Sequence, residues 1–360
     1  MTRKIVVAGV GMIPFCKPGA SASYAVMGAQ AARLALADAR AGYESMQQAF
    51  VGYVHGDSTA GQRVLYDLGF TGIAIFNTRN GGASGSSALY LARQAIESGE
   101  ADIALALGFE QVSHDVDITP AIRIVGTTGL EHMKRFGTPL ATFANIRAKA
   151  SRHAANNPLA VSRNIVTAEE VLADVPLWPG VVTRSMICPP ACGAAAAVLC
   201  SEDYAKKHDL DARVWIAGQT MTSDTDPGDS AGYGTSRAAA RKVYEQAGIG
   251  AEDVDVVELH DSLAHNELLG YESLGLCAEG EGRKLVDAGD NTYGGRYVVN
   301  PSGGLLARGH AFGATGLAQC FELVQQLRGH ADKRQVAGAR IALQHNVGIG
   351  GAAVVTMYRN

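Results

Sequence analysis

Two short runs decide how this chain is put together, Gly82-Ala83-Ser84-Gly85 and Gly313-Ala314-Thr315-Gly316. Each opens a stretch with helical periodicity: Ser84–Ser98, with Leu89, Ala92 and Ile96 on one stripe, and Thr315–Leu327. Small residues at a helix start let another segment or a ligand approach unpaired N–H groups, where the macrodipole favours negative charge. Close helix packing accounts for either run taken singly. Two of them at matching places predict a duplicated fold with a ligand cleft shared between the halves.

Outward from the first run, the Val/Ile/Ala segments Lys4–Val10, Ala49–Val54, Ile73–Asn77, Ile103–Gly108 and Ala194–Cys200 read as strands buried on both faces. With a helix over Ala22–Ala41 they give a βαβαβ order around a parallel sheet. The second half repeats the scheme. It offers strand Val214–Thr220, helix Ser236–Ala247, strand Val254–Leu259, helix Asn266–Leu274, a Gly/Pro-rich segment, helix Thr315–Leu327, and an antiparallel pair at Ala339–Gln344 and Ala352–Tyr358. Residues 115–182 break the pattern and exceed an ordinary connection, so they read as an inserted lobe with short helices such as Thr142–Ala155. The expected organisation is an N-terminal half of residues 1–114 and 183–208, a lobe of 115–182, and a C-terminal half of 209–360.

Apolar residues make up 47% and charged residues 18% of 360 positions, with a formal charge of −4, which excludes a disordered chain and a basic nucleic-acid binder. No apolar stretch reaches the ~18 residues of a membrane span, and the opening residues lack a signal-peptide cleavage site, so a soluble, cytoplasmic chain without a membrane span is expected. Six scattered cysteines read as thiols. Cys188-Pro189-Pro190-Ala191-Cys192 has no second Cys/His pair at zinc spacing, and no metal site is expected.

The chemistry is expected at strand ends. Val256-Val257-Glu258-Leu259-His260-Asp261-Ser262 is a buried strand running into polar residues at the carboxyl edge of a sheet, where open α/β folds bind ligands. His310 lies in a glycine loop before a helix, and His345 at a strand end before the turn Gly348-Ile349-Gly350-Gly351. Three imidazoles beside glycine turns can move protons and stabilise an oxyanion. The lobe carries Arg123, His132, Lys134, Arg135, Arg147, Lys149, Arg152 and His153. These form either a solvated helix face or a contact for the phosphates of a large ligand.

These segments, with Gly56-Asp57-Ser58, Gly61-Gln62-Arg63, Ala88–Arg93, Leu105–Glu110, Leu259-His260-Asp261, Asp290-Asn291-Thr292-Tyr293-Gly294-Gly295, Asn300-Pro301-Ser302-Gly303-Gly304, Gly309-His310 and Gln344-His345-Asn346, resemble the thiolase superfamily almost end to end. Within it they are most similar to the sterol-carrier-protein-linked thiolases and their lipid-transfer-protein relatives. The resemblance implies a duplicated, five-layered αβαβα thiolase fold with an inserted loop lobe. It implies a coenzyme A thioester as substrate, with no covalently bound cofactor, and a homodimer paired through Ile73–Asn77.

The departures redirect the chemistry. Where the family carries its nucleophilic Cys this chain has Gly82, in Gly81-Gly82-Ala83-Ser84-Gly85-Ser86-Ser87-Ala88-Leu89; the family's His-Asp-Cys-Phe is His260-Asp261-Ser262-Leu263, and its Gly-His-Pro is Gly309-His310-Ala311. Thiolysis parks an acyl group on a nucleophile, and glycine supplies none. The retained groups fit a retro-aldol cleavage, as in nucleophile-less relatives that act on branched acyl-CoA, frequently with a small OB-fold partner protein. Tyr293 matches a tyrosine implicated as acid/base in such aldolases. The expected site comprises His260, His310, His345 and Tyr293 as catalytic residues. Gly82, Asp261, Ser302 and Gly348 are expected at the substrate, and Arg123, Lys134 and Arg147 at the coenzyme A phosphates. A non-catalytic acyl-CoA or lipid-binding protein, and an acetyl-CoA acyltransferase using another residue, are the alternatives.

Overall fold

The computed structural model describes residues 3–113, 115–224 and 233–360. The expected boundary at residue 114 lies outside the described residues. The first half contains β1 (Ile5–Met12), α1 (Tyr24–Ala39), β2 (Gln48–Gly52), α2 (Ala60–Leu65), β3 (Ala74–Thr78), α3 (Ser84–Glu97) and β4 (Ile103–Glu110). The lobe follows with α4 (Thr119–Phe136), α5 (Leu140–Ala155), α6 (Ala168–Ala173), and the hairpin β5 (Pro176–Trp178) and β6 (Val182–Thr183). The chain then returns to the first half as β7 (Gly193–Ser201) and α7 (Glu202–His208). The second half comprises β8 (Trp215–Ser223), α8 (Tyr233–Ala247), β9 (Val256–Glu258), α9 (Ala264–Ser273), α10 (Gly282–Ala288), β10 (Val298–Val299), α11 (Gly304–Arg308), α12 (Thr315–Arg328), β11 (Ile341–Gly348) and β12 (Ala352–Arg359).

The strands run in the order β10-β9-β11-β12-β8-β1-β7-β4-β2-β3. Numbered within its own half, each set of five has the order 3-2-4-5-1, with strands 3, 2 and 4 parallel and the 4-5 and 5-1 pairings antiparallel. The duplication is therefore one of pairing direction as well as of sequence rhythm. The halves touch edge to edge only lightly, through Val6 and Trp215. Helices α3 and α12 lie between them and pack on strands of both, whereas α1 covers only the first set and α8 only the second. This is the five-layered duplicated thiolase fold.

Alanine makes the middle layer thin. Ala195 and Ala197 of β7 and Ala104 and Ala106 of β4 are fully buried on the face that meets the central helices, which lets both helices approach the sheet closely. The two glycine runs meet there. A Cβ on Gly85 would strike Gly313 O, and one on Gly316 would strike Ser86, so these glycines serve close helix packing.

Three expectations need correction. The first-half sheet is mixed rather than parallel, because β7 enters it from beyond the lobe and runs antiparallel to both neighbours. Ile73–Asn77 is not buried on both faces: β3 is the edge of the sheet, Ala74 is exposed and Phe76 is 46% exposed. The lobe is built on two long helices, α4 of 18 residues and α5 of 16, rather than short ones.

Candidate active site

His260 follows β9 at the carboxyl end of the second-half sheet, and His310 follows α11, whose N-terminal amides bind the carboxylate beside His260. Asp261, fully buried, accepts from Leu305 N at 2.7 Å and Leu306 N at 3.4 Å, so one side chain fixes the spacing between the two imidazole-bearing segments. Burial and the nearby Glu267 push the Asp261 carboxyl up, opposed by the Leu305 amide. A second tie runs through Glu258, which accepts from Ser302 N, Ser302 Oγ and Arg308 Nη1 at 2.8–3.1 Å.

The imidazoles of His260 and His310 cross at 5.1 Å between ring centres, almost perpendicular. Their hydrogen-bond partners give them opposite roles. Asn346 Oδ1 accepts from Ser86 Oγ, so its Nδ2 donates to His260 Nδ1 at 2.9 Å and leaves the ring proton on His260 Nε2. Thr315 Oγ1 donates to Ala311 O, so it accepts from His310 Nδ1 at 2.8 Å and leaves a lone pair on His310 Nε2. These tautomers are assigned from the bonding pattern. One ring is thus a donor and the other an acceptor. Both are neutral: burial lowers the His260 pKa well below the ordinary value, helped by His310 and His345, and burial with Arg308 brings His310 to about 3.

Both rings face Gly82. A Cβ there would lie 3.1 Å from Cε1 of His260, 3.1 Å from Cε1 of His310 and 2.9 Å from Val347 O. The neighbouring hydroxyls are engaged elsewhere. Ser84 Oγ donates to Gly81 O and Ser86 Oγ to Asn346, so neither is poised to replace a missing thiol. Gly81, Gly82, His260, His310, Ser262 and Cys188 open onto one cavity of about 210 Å³. Its remaining wall is mostly apolar, with Val116, Ile118 and Ala121 from the lobe, Leu263, Phe312, Val347 and Ile349.

The other expected residues fall elsewhere. His345 sits inside β11, not at its end, and its ring points away from the cavity: Nδ1 accepts from His260 N at 3.5 Å and Nε2 meets Ser236 Oγ of α8 at 2.8 Å. Burial brings its pKa to about 4. Gly348 is packed against Asn80 O beside Gly81. The Tyr293 hydroxyl donates to Arg334 O at 2.7 Å, away from the cavity lining. Ser302 is consumed by Glu258 and Arg308. Arg123 and Lys134 are exposed on α4, but Arg147 is buried within the lobe beside Asp261 and does not reach its surface. Among the described residues no cluster of three or more His, Cys, Asp or Glu is arranged to hold a metal ion, and no helix is long and apolar enough to cross a membrane.

Asn346, Thr315, Phe312 and Cys188 were not among the expected site residues. Strand alternation carries the signal for Asn346, because a pleat that sends His345 to the α8 side must send Asn346 to the inner side.

The sequence comparisons say which family this duplicated α/β fold belongs to. Residues 5–142 match the thiolase N-terminal domain and residues 219–358 the thiolase C-terminal domain-like family. The chain is 46% identical over 394 residues to sterol carrier protein 2 of Homo sapiens, covering 99% of this chain and 72% of that protein. It is 39% identical to a non-specific lipid-transfer protein-like 2 of Caenorhabditis elegans, covering 99% and 96%. Among solved structures, an Ltp2-ChsH2(DUF35) aldolase superposes with a TM-score of 0.83 at 20% identity over 98% of this chain and 97% of the other. Human mitochondrial 3-ketoacyl-CoA thiolase in complex with CoA gives 0.78 at 20% over 99% and 98%. The chain belongs to the thiolase family.

Proposed function

We propose that this chain is an acyl-CoA enzyme that cleaves a C–C bond of a β-hydroxyacyl thioester by a retro-aldol route, without a cysteine nucleophile. One observation carries the reading: Gly82 faces a donor imidazole and an acceptor imidazole with no side chain between them. His310 Nε2 takes the proton of the β-hydroxyl. The Cα–Cβ bond then breaks, the β-carbon leaves as a ketone or aldehyde, and the electron pair passes into the thioester as an enolate. His260 Nε2–H donates to that enolate oxygen, a contribution on the order of 10²–10³ in rate for one preorganised donor. The proton held on His310 returns to the α-carbon to give the shortened acyl thioester. An imidazole in so apolar a cavity holds a proton only when negative charge forms beside it, which is the circumstance of enolate formation.

The exposed α4 cations Arg123 and Lys134 are the proposed contacts for the coenzyme A phosphates. The half-exposed apolar edge β3 is the proposed seam of a homodimer, to be read by light scattering at micromolar concentration. A small OB-fold protein is the proposed partner, in line with the two components of the Ltp2-ChsH2(DUF35) aldolase. The test uses purified protein, alone and with such a partner, and β-hydroxyacyl-CoA substrates of several chain types. The expected products are a carbonyl compound and a shorter acyl-CoA. Substrates that bind and stay intact would instead support lipid carriage, which the apolar cavity wall and the lipid-transfer relative favour.

A further inference from the structure

We propose that Cys188 is a covalent capture site for α,β-unsaturated acyl thioesters, the compounds that β-hydroxyacyl thioesters become on losing water. The choice of thioester rests on the function proposed above; the site rests on geometry. Cys188 is half-buried and lines the same cavity as Gly82, His260 and His310. Its segment is tied on one side to the His260 strand end, through Cys188 N donating to Ser262 O at 2.9 Å, and on the other to His310, whose N donates to Pro189 O at 3.2 Å. The thiol is therefore held between the two imidazole-bearing segments, and no other thiol is found among the described residues that line the cavity. His310 is 5% exposed and its Nε2 makes no hydrogen bond within the described residues, so an unpartnered acceptor faces the space beside this thiol.

The step needs no further reactant. The Cys188 sulfur bonds to the β-carbon, the thiol proton passes to His310 Nε2, and the C=C electron pair moves into the thioester as an enolate that His260 Nε2–H stabilises. The proton then moves from His310 to the α-carbon. The product is a saturated β-thioether of Cys188, with the mass of protein plus thioester and nothing lost. Burial and the nearby Asp261 push this thiol's pKa up, so at neutral pH it is protonated and capture depends on the imidazole.

The experiment incubates the full chain with crotonyl-CoA, with butyryl-CoA as the saturated control, and reads intact mass followed by peptide mapping. The expected result is one added crotonyl-CoA on Cys188, none from butyryl-CoA, and none in Cys188→Ser. The rate should be flat between about pH 5 and pH 8, where both thiol and imidazole keep their protonation states; an unassisted thiolate would gain about tenfold per pH unit. His310→Ala, checked for folding by its melting curve, should slow capture at least tenfold. Addition at Cys16 or Cys277 at a rate comparable with Cys188, a rate that climbs with pH, or capture unchanged in His310→Ala would each overturn the proposal. Adduct formation by a protein that leaves every β-hydroxyacyl-CoA intact would sink the retro-aldol reading and leave the capture site standing. Cleavage without an adduct would do the reverse.

Discussion

The two glycine runs occupy the same place in the two halves and do different work. Ahead of α3, the first-half run brings Gly82 to the cavity as bare backbone. Ahead of α12, the second-half run is spent on packing, and the side chain that reaches the cavity is His310, three residues upstream and anchored by Thr315 of the helix's first turn. The donor imidazole and its Asn346 partner also come from the second half. A duplicated scaffold has thus divided labour: the first half supplies space and the second supplies every hydrogen-bonding side chain of the imidazole pair except the distant Ser86. Duplication fixes where a helix starts, and the local sequence decides whether that start is a site or a hinge of packing.

The sharpest way to break this comparison is to remove the second half's base. His310→Ala should lower retro-aldol turnover by about 10²–10⁴ while leaving thioester binding measurable by calorimetry. Unchanged turnover would move the base elsewhere. Next in size is the scaffold that holds the second half to the lobe. Lys149, 2% exposed, donates to Glu267 at 2.5 Å and to Val299 O at 3.0 Å, so Lys149→Ala strands a buried carboxylate and should cost about 3–5 kcal/mol in urea unfolding.

The first half is tested by filling its space. A Cβ at Gly82 would stand 2.9 Å from the Val347 carbonyl, so Gly82→Ala should lose about 1–3 kcal/mol of stability. Gly82→Cys places a thiol at a helix start between two imidazoles, and it should react with iodoacetamide faster than the native thiols of Cys188, Cys277 and Cys320, which burial holds well above the ordinary pKa. A cysteine at 82 inert to alkylation would mean that position 82 does not face the cavity. The smallest effect concerns His55, whose Nδ1 lies 3.1 Å from Glu110 Oε1 and whose pKa is raised by that bond. Because the folded pKa is raised, the stabilisation is fully present below the ordinary histidine value and fades as pH rises through the folded one. The Tm difference between native protein and His55→Ala should accordingly shrink between about pH 6 and pH 8. The side chain is half exposed, so the difference is small throughout.

Much of this was legible in the chain. The strand and helix order, the duplication, the strand-end position of His260 and the glycine-loop position of His310 follow from glycine-bounded apolar runs. What failed did so for reasons of neighbourhood. Apolar Ile73–Asn77 reads the same whether a strand lies beside it or not, so its edge position was invisible. Arg147 and Lys149 carry charge, and composition alone places charge on a solvated face; only the fold reveals Asp261 and Glu267 of the second half buried against the lobe. His345 was misplaced because β11 runs on to Gly348, turning an expected strand end into a strand interior where the pleat dictates the direction of each side chain.

The sheet order also sets a timetable for synthesis. In the first half β1 and β4 are not neighbours; each pairs with β7, which is made only after the whole lobe. A nascent chain that stops short of residue 193 therefore carries β1 with no first-half strand to lie against, its backbone N–H and C=O groups unpaired on that edge. The first half cannot close when its own consecutive strands have emerged, and pairing across so long a separation is slow. Until β7 has emerged, β1 keeps an unpaired strand edge on the first-half side, and β7 is the piece that closes it.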